Sequence, residues 1–179
     1  MFHVFFQIFI FLIYFFIAAG FYRAYLSGKR RKKKNEATFA AIPPPIVKVG
    51  EDFKVSVEIV VLKGALAGAA FKLKGENNSA DRNYTFRVNL AYLNGESIAS
   101  KKYFVTDPAE PGEKVETREM ISTSGFIWDS VKITKIDVDV GFNRGHASFD
   151  VGQVFARSLV VDLAGLGVEQ TLLSGLRSR

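Results

Sequence analysis

The side chains that could do chemistry are few, and two groups of them sit within fourteen residues of each other. His146, Ser148 and Asp150 supply the three residue types of a hydrolytic triad. They lack a nucleophile elbow and any G-x-S-x-G, and their spacing suits an ordinary polar turn. Asp137 and Asp139 are one residue apart, so on a strand they share a face. With Asp129 or Asp150 they would offer calcium the oxygen ligands it prefers. A solvated strand face opposite buried Ile136, Val138 and Val140 accounts for the same two acids, so Asp137 and Asp139 are weak metal candidates only. As a glycosidase pair they would have to flank a sugar cleft, and the sequence signals none.

Other chemistries are excluded by count or motif. The chain has 179 residues, no cysteine and two histidines. It therefore has no disulfide framework, thiolate metal site or cysteine nucleophile, and one domain histidine cannot build a His-rich metal centre. Neither G-x-x-x-x-G-K-[ST] nor G-x-G-x-x-G occurs, so no nucleotide site is signalled. No catalytic signature, cofactor or small-molecule substrate is read from the chain. It is expected to be non-enzymatic.

Charge points away from nucleic acid. The net charge is +6, but seven of the 24 bases lie between Arg23 and Lys34; the other 17 face all 18 acids, leaving −1. A domain that binds a phosphate backbone needs a broad basic face, and this one has none.

The N-terminal elements carry the clearest physical signal. Val4 to Tyr22 is 19 residues without a formal charge, and eight of the 17 phenylalanines precede Arg23. As a helix this run is about 28 Å long, close to the hydrocarbon thickness of a bilayer. It is apolar all round, and Tyr22 and Tyr25 fall where an interfacial aromatic belt would lie. One transmembrane helix is expected over residues 1–26, with the span at about 4–22. A cleavable signal peptide fits less well, because Met1-Phe2-His3 carries no Lys or Arg and the run exceeds a usual h-region. Bases follow the run and none precede it, so the positive-inside rule puts the N-terminus outside and the C-terminal domain on the cytoplasmic, matrix or stromal side.

Lys29, Arg30, Arg31, Lys32, Lys33 and Lys34 form a stop-transfer flank that would also contact anionic lipid headgroups. Residues 27–45 are expected to be a basic juxtamembrane segment and linker, ending in the semi-rigid Pro43-Pro44-Pro45.

From Ile46 the period becomes two. Phe53, Val55, Val57, Ile59 and Val61 alternate with polar residues, as do Tyr84, Phe86, Val88, Leu90 and Tyr92. Gly64 to Gly68 reads as a loop or a close backbone approach, and Asn94-Gly95 as a hairpin turn. A phase slip near Lys135 predicts a β-bulge, and Trp128 is expected to anchor the core or its rim. Residues 149–163 fit either a helix or a strand, and Val160-Val161 favours a strand. Gly165 and Gly167 would end it. A short C-terminal helix or tail then occupies 165–179, with Val168, Leu172, Leu173 and Leu176 on one face as candidates for docking on a partner.

Seven or eight short strands imply an all-β, antiparallel β-sandwich over 46–164, immunoglobulin-like in the loose sense, preceded by the membrane helix. The expected role is an accessory, assembly or interaction subunit of a membrane protein complex, with other subunits and the membrane as partners. Two alternatives stand beside it. One is an exofacial or secreted binding module, N-glycosylated at the sequons that begin at Asn77 and Asn83. The other is a membrane-tethered lipid- or calcium-binding domain using Lys29–Lys34 and Asp137/Asp139.

Overall fold

The computed structural model describes the backbone of residues 2–125, 127–141 and 144–177, and the side chains of the same residues except 2–13, 65, 144 and 169–177. The chain divides into two units, Met1–Ala40 and Ala41–Arg179.

The first unit is a single helix, α1 (Phe2–Ala40), 39 residues long. The stretch 27–45, expected as a basic juxtamembrane segment and linker, is helical over the basic run and Asn35–Ala40, so its non-helical part begins only after Ala40. No Gly or Pro follows Gly28 before Pro43, and Glu36, Ala37 and Ala40 are good helix formers. The three prolines end the helix, because the residue before a proline is pushed out of the α region. Among the described residues no helix is long and apolar enough to cross a membrane. The first ten residues of the expected span, 4–13, have side chains outside the described set.

The second unit holds nine strands in two antiparallel sheets packed as a β-sandwich. They are β1 (Ile46–Val49), β2 (Phe53–Leu62), β3 (Gly68–Asn77), β4 (Tyr84–Asn94), β5 (Ser97–Val105), β6 (Lys114–Met120), β7 (Ser130–Val140), β8 (Arg144–Asp150) and β9 (Val154–Ala156). One sheet runs β1-β2-β3-β6; the other runs β5-β4-β7-β8, with β9 added beside β7. The chain crosses between sheets after β3, β5 and β6, so β6 pairs with β3 and β7 with β4, a Greek-key pattern.

Period-two alternation drives this arrangement. Phe53, Val55, Val57 and Ile59 on β2, and Tyr84, Phe86, Val88 and Leu90 on β4, are all buried in one core cluster. The sheets meet through aromatic contacts, with Phe53 5.7 Å from Tyr84 and 6.5 Å from Phe86. Trp128 lies in the core, edge-to-face with Tyr92 at 5.3 Å.

The bulge expected near Lys135 is present: Asn89 faces Lys135 and Leu90 faces Ile133, so Thr134 is the extra residue. A second shift on β8 leaves His146 without an opposite number between Gly145 and Ala147. The hairpin is present but its two-residue loop is Gly95-Glu96, flanked by the pair Asn94–Ser97. Gly95 takes φ 59°, the left-handed conformation that the first central position of a tight hairpin turn requires.

The strand favoured over 149–163 is a correction. After β9 the chain enters α2 (Arg157–Arg177), a 21-residue helix that contains Gly165 and Gly167. Val160, Leu163 and Leu166 bury on one face of α2 with helical spacing and join the sandwich core. That packing outweighs the weak β preference of Val160-Val161. Arg157 fixes where the helix starts. Its backbone N–H donates to Asp129 O, and its guanidinium donates to Trp128 O and Thr123 O while lying over the Trp128 ring. Gly167 lies where α2 approaches the β2–β3 connection. A Cβ there would overlap the Leu62 carbonyl oxygen, so this glycine supplies the close approach.

Candidate functional site

The outward face of the second sheet carries a row of fixed polar groups. The pleat places Thr85, Arg87 and Asn89 of β4 outward, opposite Asp139, Asp137 and Lys135 of β7. Tyr103 and Val105 of β5 flank Asn89 and Arg87 on the other side, and Ser148 of β8 flanks Asp137. Inward neighbours such as Phe86, Val88, Ile136 and Val138 are fully buried, which locks the outward row in register.

Asp137 and Asp139 do share this face, as the spacing predicts, but neither is set up as a metal ligand. The Asp139 side chain is 8% exposed and pairs with Arg87. Asp137 accepts hydrogen bonds from Asn89 Nδ2, at 2.7 Å, and from Ser148 Oγ. A guanidinium, an amide and a hydroxyl already occupy the oxygens that calcium would need. Among the described residues no three His, Asp or Glu side chains are grouped to hold a metal ion. Asp129, the other acid considered, instead binds the hairpin: its Oδ2 accepts from Gly95 N at 2.7 Å. That bond, and one from Ser130, holds its carboxyl below the usual carboxylate range.

The His146, Ser148 and Asp150 set is not brought together. The bulge at His146 turns its ring inward, 5.6 Å from Phe53 and 5.2 Å from Tyr84, while Ser148 Oγ points outward to Asp137. His146 Nε2 lies 3.8 Å from Asp52 Oδ1, and Tyr84 OH donates to Asp52 Oδ2 at 2.5 Å. Burial, followed by that bond to an anion, raises the Tyr84 phenol above its ordinary range. This inner cluster ties the β1–β2 turn, through Asp52, to the start of β4 at Tyr84 and to β8 at His146. No nucleophile stands beside its imidazole among the described contacts.

The first sequon is structural. Asn77 is 1% exposed; its Nδ2 donates to Arg82 O and Ala109 O, and its Oδ1 accepts from Ser79 N and Oγ. Both amide hydrogens are used, so no glycan fits there. Asn83 is exposed.

Lys29, Arg30, Arg31, Lys32, Lys33 and Lys34 are all exposed on α1. Of the docking candidates, Val168 is half exposed, and Leu172, Leu173 and Leu176 lie outside the described side chains.

Two shallow depressions open on the sheet face, either side of Tyr103. One, of about 360 Å³, has Arg87, Asp107 and Asp139 in its lining. The other, of about 330 Å³, has Asn89, Lys101 and Thr134. Tyr103 itself is 68% exposed. Searched against protein-family models, curated proteins and solved structures, the chain matches none.

The Arg87–Asp139 pair and the ridge at Tyr103 were not singled out from the sequence. Arg87 and Asp139 are 52 positions apart, and only the β4–β7 register joins them. Tyr103 carried one usable signal: it is a large aromatic on the outward parity of an edge strand, where burial cannot explain it.

Proposed function

We propose that the chain is a non-enzymatic, membrane-anchored β-sandwich module, held by α1, that acts by contact as an accessory or interaction subunit. Its sandwich is immunoglobulin-like in strand order, with β2-β3-β6 against β5-β4-β7-β8. One observation carries the anchoring. Tyr14, Phe15, Phe16, Ile17, Phe21, Tyr22 and Tyr25 are each about half or more exposed and spread around the whole circumference of α1. A soluble helix keeps one polar face, whereas this one requires an apolar surround on every side.

The continuity of α1 refines how the bases act. Six consecutive residues at 100° intervals point in every direction, so Lys29–Lys34 form a collar and not a stripe. The collar begins about 10 Å beyond Tyr22, within reach of headgroups for long side chains that bend back along the helix. Each base near an anionic surface contributes about 1 kcal/mol. The bases also set orientation, with the sandwich on the side where they lie.

Alkaline carbonate treatment of membranes from cells making the full chain tests the anchor. An anchored chain stays in the pellet. Release into the supernatant, together with peripheral proteins, overturns the proposal.

A further inference from the structure

We propose that the outer face of the β5-β4-β7 sheet is a saccharide-binding site, with Tyr103 as the platform on which a sugar ring stacks. The proposal goes beyond the anchoring role and does not depend on it.

Three observations converge. Tyr103 projects from edge strand β5, 68% exposed, with no ring contact to any described aromatic. An isolated exposed tyrosine offers a flat apolar face with a polar tip, which suits a ring that has both C–H and O–H surfaces. The two depressions flank it, so an extended chain seated on Tyr103 has room on both sides.

The polar groups along this path are fixed in advance. Arg87 is held by Asp139, and Asn89 by Asp137, which Ser148 also holds. Arg87 is 35% exposed at its side chain and lines the first depression, so part of its guanidinium faces the site. Asp107, exposed on the rim, adds an acceptor. Groups ordered before binding lose little further freedom when a ligand arrives.

The charges select the class of ligand. The first depression holds Arg87, Asp107 and Asp139, net −1, and the second holds Lys101, net +1, because the neighbouring Lys102 pairs with Glu119 of β6. An anionic chain is opposed at the first and a cationic chain at the second. A neutral, hydroxyl-rich chain can use the donors and acceptors of both, because each hydroxyl donates and accepts. Depressions of 330–360 Å³ fall at the small end of the range for ligand sites, consistent with single sugar units on either side of the platform.

Calorimetry on the full chain, in a detergent without a sugar headgroup, tests this with cellohexaose, xylohexaose, mannohexaose and chitohexaose as probes. At least one should bind saturably, at Kd values on the order of 0.1–1 mM. Tyr103→Ala should weaken that binding at least tenfold, Tyr103→Phe should retain it within about threefold, and Asp107→Asn should weaken it severalfold. Neither position is buried, so all three variants should unfold with the parent. The inference is overturned if no probe binds up to about 10 mM, or if Tyr103→Ala binds as the parent does. It is equally overturned if polylysine or polyglutamate displaces a bound hexasaccharide from Tyr103, since the face would then be a peptide site. Failure here leaves carbonate resistance unaffected, and loss of carbonate resistance leaves sugar binding unaffected.

Discussion

At the scale of single residues, the most consequential group is a pair that spans two strands. Arg87→Ala would leave Asp139 buried and unpaired, at a cost of about 3 kcal/mol. Replacing both, Arg87→Leu with Asp139→Leu, removes the orphaned charge and should cost less than the single change. Urea midpoints of the two variants decide it; equal loss in both would mean the pair is not the source of the cost. Asp129 gives a pH signature. Its carboxyl is depressed by the Gly95 N–H, so its contribution is present above the ordinary carboxylate range and is lost as pH falls through its folded value. Asp129→Asn should flatten the acid limb of the stability profile by lowering stability in the neutral region and leaving the acid end nearly unchanged; an unaltered acid limb contradicts the role. Asn77 and Asn83 look alike as sequons, yet one is buried and the other exposed. With the sandwich on the basic side, neither should carry sugar in a glycosylating host; a mobility step that Asn83→Gln removes would put the sandwich on the exofacial side and contradict the orientation. Sequence could not rank them, because burial of Asn77 depends on contacts with Ala109, 32 positions away.

At the scale of elements, legibility followed the physical range of the signal. The alternation in β2 and β4, the slip that marks the Thr134 bulge and the hairpin near Gly95 are local, and each is present within a residue or so. The end of α1 and the start of α2 were not local. Asn35–Ala40 continue a helix nucleated upstream, and Arg157 starts one because Trp128, Thr123 and Asp129 hold it. Gly165 and Gly167 looked like breakers, but Gly167 is the point of contact with Leu62. Gly167→Ala should therefore destabilise the domain although alanine is the better helix former. Leu163→Ala should cost about 2–5 kcal/mol, the usual scale for a fully buried leucine. Calorimetric melting of each variant checks both. A neutral Leu163→Ala would mean that α2 does not close the core.

At the scale of the whole molecule, two units divide the labour: an aromatic-rich helix with a basic collar, and a sandwich that presents a polar sheet face. The division was readable from composition alone, since charge and phenylalanine both concentrate before residue 35. The sheet-face site was not, because its residues come from three strands and the turn after β5. Orientation is tested most directly by single-cysteine labelling, which has no background because the chain lacks cysteine. Cysteine placed at Phe2, or at the exposed Asn94 beside the hairpin turn, is challenged in intact cells with a membrane-impermeant maleimide. An anchored chain with its sandwich on the basic side labels at position 2, and at position 94 only after permeabilisation. Equal labelling at both positions in intact cells, or labelling at 94 alone, would contradict it.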